Sequence, residues 1–230
     1  GLGDYNYEKC AIEMYGDLIQ YRKFDTEEAL LASFHKFWCD NRPDIITGWN
    51  SRFFDIPYLI NRIARIGTIE AVKRLSPWNM VNERNTEITG RTQYGYEIVG
   101  VQQADYLELF KKFGYSYGAQ ESYKLDHIAH VVLGEKKLSY EEHGNLYTLY
   151  KEDHQKFIDY NIKDVQLVNR IEEKMGLIQL AQTMAYRGGV NLADTFGTTA
   201  IWDSIIYREL NKKKIAIPPN NEKIKNPYPG

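Results

Sequence analysis

The sequence predicts an α/β fold, and two adjacent segments carry that prediction. In DTEEALLASFHKFW, which begins at Asp25, the apolar residues Leu30, Phe34 and Trp38 recur at the spacing of an amphipathic helix. That helix ends before Pro43, and DIITGW follows with the composition of a strand buried in a parallel sheet. A helix that leads directly into a buried strand is half of an α/β unit.

The composition is that of a soluble globular protein. The chain has 230 residues, with 29 Lys and Arg against 31 Asp and Glu, which gives a formal net charge of −2. A hydrophobic content of 43% excludes a disordered chain. The charge balance argues against a protein held to nucleic acid by phosphate contacts alone, although a locally basic groove is compatible with it.

The sequence contains no membrane or export signal. No apolar run approaches the roughly 20 residues that cross a bilayer, so no contact with a membrane is predicted. The N-terminal segment GLGDYNYEK is polar, and only two cysteines occur, Cys10 and Cys39. These features predict a cytoplasmic protein with reduced thiols.

The segments on either side of the first helix are predicted from their turn residues. Residues 8–24 show short apolar runs broken at Gly16 and Asp17, which indicates two strands joined by a turn. Asp25 is the expected N-cap of the helix. After DIITGW, a turn leads to a second helix that begins near Pro57.

The second half of the chain is predominantly helical in pattern. Residues 86–102 alternate branched and polar side chains around glycines, as a β-hairpin does. The segment ESYKLDHIAHVVLG has one apolar face and ends at Gly134, a typical helix stop. From Asn145 onward the period predicts two long helices, interrupted near Tyr160 and Asn161.

A change of character at Gly188 predicts a division of the chain. Residues 1–187 are expected to form the main domain. Residues 188–230 contain the helical segment AIWDSIIYRELN and then a lysine-rich segment without core periodicity, which indicates an extended connector.

The first candidate functional residue is Asp55, in TGWNSRFFDIPYL. It follows a buried strand and a turn, so it lies at the carboxyl edge of a sheet, where ligand sites of α/β proteins open. Phe53 and Phe54 are its aromatic neighbours. Spacing alone favours a simpler role for Asp55 as a helix cap.

The second candidate group is Tyr160, Asn161 and Asp164, in DYNIKDVQLV. Tyr160 and Asp164 are four residues apart, which on a helix places a phenol and a carboxylate on one face. Asp164 could then hold a hard cation while Tyr160 positions a water or a phosphate. Taken alone, the segment favours a solvated aspartate and an anchoring tyrosine on a surface helix.

Together these segments resemble the second and third exonuclease motifs of family B DNA polymerases. The similarity extends to RPDIITGWNSRFFDIPYLINR, DYLELFKKF, SYKLDHIAHVVLGEKKLSY, and WDSIIYREL followed by PYPG. These are similar to successive landmarks of the proofreading domain in polymerases of T-even-type bacteriophages. The resemblance covers the chain from about Phe24 to Gly230.

The resemblance implies a ribonuclease-H-like 3′–5′ exonuclease domain that removes mispaired nucleotides from a primer 3′ end with two Mg²⁺ or Mn²⁺ ions. Asp55 and Asp164 match carboxylate positions that hold the metals, and Tyr160 matches a tyrosine that orients the attacking water. Asn50, Phe54 and Asn161 are assigned to contacts with DNA or to support of the motifs.

The hairpin predicted at residues 86–102 occupies the position of a family hairpin that helps to separate the primer strand. Arg91, Tyr94 and Tyr96 are therefore candidate DNA-facing residues. A plain exposed hairpin with solubilising polar groups explains the sequence of this segment equally well.

The family pattern includes a first motif, Asp-x-Glu, on the opening strand of the sheet. Asp25 and Glu27 have that spacing, but a helical period follows them, so we interpret them as the opening of a helix. The true motif is then expected upstream of Gly1. The sheet would lack central strands, the chain alone would have little exonuclease activity, and exposed strand edges would favour self-association.

Two alternatives follow from the same residues. One is a non-catalytic module that binds single-stranded DNA. The other is a complete free-standing nuclease that uses Asp25 and Glu27, which requires a strand over residues 22–28.

The resemblance also implies partners and a location. The partners are single-stranded DNA, primer–template DNA and the rest of the polymerase, namely its N-terminal region, palm, fingers and thumb. A sliding clamp is a further partner that it allows. The location is the host cytoplasm if the protein is phage-encoded.

Overall fold

The computed structural model describes residues 1–10, 12, 19–88, 91–139 and 141–217. Contacts within the chain divide it into two compact units, Gly1–Leu180 and Ala181–Gly230. The division into domains over residues 1–187 and 188–230 stays a proposal. Within the described ranges, no helix is both long enough and apolar enough to cross a membrane.

Helices predominate over strands among the described residues. The strands are β1 (Ile45–Gly48), β2 (Val81–Ile88), β3 (Arg91–Ile98) and β4 (Gln102–Asp105). The helices are α1 (Glu27–Asn41), α2 (Asp55–Ile66), α3 (Ile69–Lys73), α4 (Tyr106–Phe113), α5 (Leu125–Leu133), α6 (Leu146–Glu152), α7 (His154–Met175), α8 (Leu177–Gly188) and α9 (Thr199–Lys212). Short 3-10 helices cover Tyr7–Lys9, Tyr115–Tyr117, Glu141–His143 and Leu192–Phe196.

The strands form two small sheets. β1 and β4 are parallel, in a register that runs from Ile45 opposite Gln102 to Gly48 opposite Asp105. β2 and β3 form an antiparallel hairpin. The parallel pair confirms the predicted α/β class and brings the carboxyl ends of β1 and β4 to one edge. The strand β1 is only half-buried, whereas the sequence predicted full burial.

The segment before α1 differs from its prediction. Residues 8–24 contain no strand in the part that the structure describes, and Gly16 and Asp17 lie outside the described residues. The N-cap of α1 is Thr26, whose Oγ1 accepts a hydrogen bond from the Ala29 N–H at 3.2 Å. Thr26 has extended backbone angles and its hydroxyl reaches this N–H group, so Asp25 lies one residue before the cap.

The break between the long helices also lies elsewhere. α7 continues without interruption through Tyr160 and Asn161. The helices α6 and α7 meet at Asp153, whose Oδ1 accepts from the Lys156 N–H at 2.9 Å and caps α7. The Asn161 amide donates to the Phe157 carbonyl oxygen at 2.7 Å, so this polar residue bonds to its own helix and does not end it.

The hairpin begins earlier than predicted. It spans Val81–Ile98, while Gln102 already belongs to β4. The first strand, VNERNTEI, is mostly polar, so alternation of apolar residues does not reveal it. The turn residues 89 and 90 lie outside the described residues.

A core cluster lies between the first helices and the hairpin. The Trp38 indole N–H donates to the Leu75 carbonyl oxygen at 2.8 Å, so the polar atom of this buried ring is satisfied. Burial of the apolar face of α2 here fixes the direction in which its N-terminus points. The buried members are Trp38, Ile56, Ile60, Ile63, Val72, Leu75, Ile98 and Val101.

A second layer joins α5 to α7 within the first unit. Ile128 and Val132 of α5 and Leu167 and Ile171 of α7 are buried. Within each helix the two positions are four residues apart, so each helix directs one face inward.

The second unit is organised around α9. The Ile201 side chain lies so close to Gly188 that a Cβ there would meet Cγ2 at 3.3 Å. The Arg208 guanidinium donates to the Gly188 carbonyl oxygen at 3.1 Å. The start of this unit is therefore tied to α9.

Asp105 connects the parallel sheet to the elements that follow it. Its carboxylate is 1% exposed. Oδ1 accepts from the N–H groups of Leu107 and Glu108 at 3.0 and 3.4 Å, which caps α4. The same carboxylate accepts from Asn50 N at 3.2 Å and Arg52 N at 2.9 Å. One side chain thus fixes both the start of α4 and the turn after β1.

We expect Asp105→Asn to lower the free energy of unfolding by about 1–3 kcal/mol. The NH2 group of Asn would replace one carboxylate oxygen and would face a backbone N–H donor from which that oxygen now accepts a hydrogen bond. Urea denaturation followed by circular dichroism measures the change. Asp40→Asn is the matched control: Asp40 pairs with Lys36 on the exposed surface of α1, so its loss should change stability little. Equal effects of the two substitutions would contradict the role of Asp105.

Candidate active site

The first half of the site is the turn between β1 and α2. Asn50 has a φ of 63°, and its N–H is held by Asp105. The Ile56 N–H donates to the Ser51 carbonyl oxygen at 2.9 Å, which closes the turn and starts α2. Asp55 is the first residue of α2, as expected for a residue at the carboxyl edge of a sheet.

Asp55 is an exposed residue, yet its carboxyl group is partly surrounded by protein. This desolvation raises the pKa of Asp55, the negative charge of Asp105 raises it further, and a hydrogen bond from its own backbone opposes both. The carboxylate therefore lies where a cation would relieve an unfavourable charge.

The second half of the site is on α7. The Lys137 ammonium donates to Asp164 Oδ2 at 2.6 Å and to the Tyr160 hydroxyl at 3.2 Å. It also lies 5.2 Å from the centre of the Tyr160 ring. Tyr160 and Asp164, predicted from spacing to share a helix face, are thus joined by one lysine.

One oxygen of the Asp164 carboxylate is paired with a cation, and the other has no hydrogen-bond partner in the described ranges. Oδ2 receives the Lys137 ion pair. Oδ1 is buried and has no hydrogen-bond partner in the described ranges. Burial raises the pKa of Asp164, Lys137 opposes that shift, and the charge of Asp126 adds to it. A buried acceptor without a donor costs free energy unless a cation or a water satisfies it.

Lys137 keeps its positive charge in this setting. Burial alone would lower the pKa of its ammonium group, but the contacts with Asp164 and Tyr160 outweigh burial and raise it. Its backbone N–H donates to Asp126 Oδ1 at 2.7 Å, which ties the loop to α5.

The sequence did not single out Lys137. It follows the α5 stop at Gly134 in a loop, where no periodicity shows whether Lys136 or Lys137 turns inward. The one available signal is its place in SYKLDHIAHVVLGEKKLSY, a segment of the family resemblance.

The residues predicted to contact DNA are distributed over several elements. Phe54 is 67% exposed and directly precedes Asp55, and Tyr94 of the hairpin is 59% exposed. The Tyr96 hydroxyl donates to Asn61 Oδ1 at 3.0 Å, and its ring packs on the core cluster. The side chain of Arg91 lies outside the described part of the chain.

Asp25 and Glu27 do not form part of a strand. Residues 22–26 precede α1 without strand structure, and Glu27 is the first residue of the helix. The Glu27 carboxylate forms a bidentate ion pair with Arg62 of α2, which lowers the pKa of Glu27. The strand that the complete-nuclease alternative requires is therefore missing, and Glu27 already has a cationic partner.

The residues that the structure describes contain no group of three or more His, Cys, Asp or Glu side chains that could hold a metal ion. The pairing of Asp55 of α2 with Asp164 of α7 in one metal site stays a prediction.

Comparison with known proteins identifies the family. The DNA polymerase family B exonuclease domain matches residues 5–128. The chain is 36% identical over 214 residues to the DNA-directed DNA polymerase of Escherichia phage RB69, and 33% identical over 214 residues to that of Enterobacteria phage T4. Each alignment covers 93% of this chain and 23% of the relative.

A more distant relative is the DNA polymerase delta catalytic subunit of Oryza sativa subsp. japonica, which is 28% identical over 87% of this chain and 19% of its own length. The chain thus spans about a quarter or less of the relatives it matches. Because the family match covers more than half of its residues, the chain belongs to the exonuclease-domain family of family B DNA polymerases.

Proposed function

We propose that this chain is the 3′–5′ proofreading exonuclease region of a replicative family B DNA polymerase. The reaction is metal-dependent hydrolysis of the phosphodiester at a primer 3′ end. The observation that carries the proposal is the uncommitted, buried Oδ1 of Asp164, beside a Lys137 ammonium that contacts both Asp164 and Tyr160. The family match supplies the reaction class.

The donor set suits Mg²⁺ or Mn²⁺. Asp55 and Asp164 offer carboxylate oxygens, the ligands that these hard cations prefer. Desolvation raises the pKa of both carboxyl groups, and Oδ1 of Asp164 has no described donor. When bound, two such ions lower the pKa of a water molecule and stabilise charge on the attacking and leaving oxygens.

Tyr160 and Lys137 act on the same side of α7 as Asp164. Lys137 donates a hydrogen bond to the Tyr160 hydroxyl oxygen, so the hydroxyl proton of Tyr160 points away from Lys137. We assign Tyr160 to the orientation of the attacking water. Lys137 limits the rotation of both Tyr160 and Asp164, because its ammonium bonds to the two side chains at once.

The remaining metal carboxylates belong, in this proposal, to an Asp-x-Glu motif outside this chain. The fold is then ribonuclease-H-like with an incomplete central sheet, which agrees with the two-stranded parallel pair described above. The isolated chain should have little or no activity. Residues 188–230 would lead toward the palm.

The partners follow from the same proposal. They are single-stranded and primer–template DNA and the rest of the polymerase, with a sliding clamp as a further partner. Self-association would occur through exposed edges of the sheet.

A non-catalytic module that binds single-stranded DNA is the second candidate. It is favoured by the lack of a three-ligand group among the described residues and by exposed aromatic rings such as that of Phe54. The two candidates differ once an Asp-x-Glu motif is supplied. A non-catalytic module would then bind single-stranded DNA without metal and would not cleave it.

A degradation assay tests the proposed activity. With a 5′-labelled single strand and Mg²⁺ or Mn²⁺, the chain, Asp164→Ala and Asp25→Ala should all be inactive, because the metal site is partial. Fusion of the chain to an upstream segment that carries Asp-x-Glu should produce shortening from the 3′ end, which Asp164→Ala abolishes. Activity of the unfused chain that is lost in both variants would instead place Asp25 in the site.

Metal binding can be measured without catalysis. We expect the chain to bind Mn²⁺ weakly, and Asp164→Asn or Asp55→Asn to reduce the affinity by about tenfold or more, because each removes a charged oxygen ligand. The free Mn²⁺ signal in electron paramagnetic resonance gives the bound fraction. Asp25→Asn is the matched control and should leave binding unchanged; an equal loss in all three variants would contradict the assignment.

Single-strand binding tests the DNA-facing role of Phe54. Loss of one base-stacking ring should cost about 1–3 kcal/mol of binding free energy in Phe54→Ala. Fluorescence anisotropy with a labelled oligonucleotide measures it. Phe37→Ala removes a ring that is 59% exposed on α1 and should not alter affinity. Unchanged binding in Phe54→Ala would remove Phe54 from the interface.

A further inference from the structure

The position of Lys137 depends on a loop without regular structure. α5 ends at Gly134, whose φ of 77° reverses the chain, and a Cβ at this position would meet no atom within 4 Å. Residues 135–139 belong to no helix or strand. No secondary structure therefore holds this segment, and the hydrogen bond from the Lys137 N–H to Asp126 together with its side-chain contacts determines where the Lys137 ammonium lies.

Glu135 forms two of those contacts, both with cations of α7. Its Oε2 lies 2.9 Å from the Lys163 ammonium, and its Oε1 pairs with the Arg170 guanidinium. All three side chains are partly buried, with 16% to 26% of each exposed, which reduces the screening of these ion pairs by water. Burial alone would raise the pKa of Glu135, but Lys163 and Arg170 outweigh it and lower the pKa, so the carboxylate stays charged at neutral pH.

Glu135 and Lys137 of the loop both contact α7. Lys163 and Arg170 are seven residues apart, two helical turns along one face of α7. Lys137, two residues after Glu135, reaches Tyr160 and Asp164 on the same helix. Without the Glu135 charge, two partly buried cations on α7 would lose this partner, and the loop would lose an attachment to α7.

We propose that Glu135 is a positioning residue: its ion pairs with Lys163 and Arg170 hold the 134–139 loop against α7 and keep the Lys137 ammonium on Tyr160 and Asp164. Its relevance to proofreading rests on the proposed function. The placement of Lys137 does not, because it is a property of the loop and the helix.

Reductive methylation of lysines in the whole chain, with rates measured for each lysine by mass spectrometry, tests the proposal. In Glu135→Gln, Lys137 should be modified about fivefold faster, because its ammonium leaves Asp164 and Tyr160 more often. Lys174, which donates to the Val132 carbonyl oxygen from the same helix, should keep its rate. Glu135→Asp retains the charge and should recover part of the protection.

Glu142→Gln is the matched control. Glu142 also precedes α7 and pairs with a lysine of that helix, Lys156, so its loss should speed modification of Lys156 and leave Lys137 unchanged. An unchanged Lys137 rate in Glu135→Gln would overturn the proposal. A parallel increase at every lysine, with a lower melting temperature, would also overturn it, since it would show general loosening.

The labelling requires neither metal nor catalysis. Absence of exonuclease activity in the fused protein would therefore refute the proposed function and leave the labelling result intact. Protection of Lys137 that is independent of Glu135 would refute the positioning role and leave the activity intact.

Discussion

The buried carboxylate of Asp105 is the constraint on which the candidate site depends. Its two oxygens accept four backbone N–H groups, two from the start of α4 and two from the turn that leads to Asp55. These hydrogen bonds offset the free-energy cost of removing the carboxylate from water. The same charge also raises the pKa of Asp55, so the group that positions this residue makes its ionised form less favourable. A cation bound to the Asp55 carboxylate would offset that cost.

The two candidate carboxylates are supported by different chemistry. Asp55 is the first residue of a helix, and the turn before it is fixed by backbone hydrogen bonds. Asp164 lies within α7 and is oriented by a single ammonium, that of Lys137. Backbone bonds are fixed by secondary structure, whereas the lysine depends on a loop and its ion pairs. The Asp55 half of the site thus depends on Asp105, and the α7 half depends on the loop that carries Lys137.

Local sequence signals predicted much of the fold and part of the site. The apolar spacing located α1, α2 and α5, and the residues after DIITGW placed Asp55 at the sheet edge. Asp25 and Thr26 are adjacent, and both are favourable N-cap residues. The backbone angles determine which of them caps the helix, and composition does not encode those angles. β2 escaped detection because its residues are polar. Lys137 escaped because its partners are more than 20 residues away, on another element.

The parallel pairing of β1 with β4 has a kinetic consequence. Thr47 and Ala104, which are joined by a hydrogen bond, are 57 residues apart, and α2, α3 and the hairpin lie between them. Helices and a hairpin form from residues that are near one another in sequence. Bringing β1 and β4 together has a loop-closure entropy cost that is offset only when the two strands pair. Asp105 can reach the turn at Asn50 only after β4 has docked beside β1. We therefore expect the geometry around Asp55 to be among the last features to form during folding and among the first to be lost when the sheet opens.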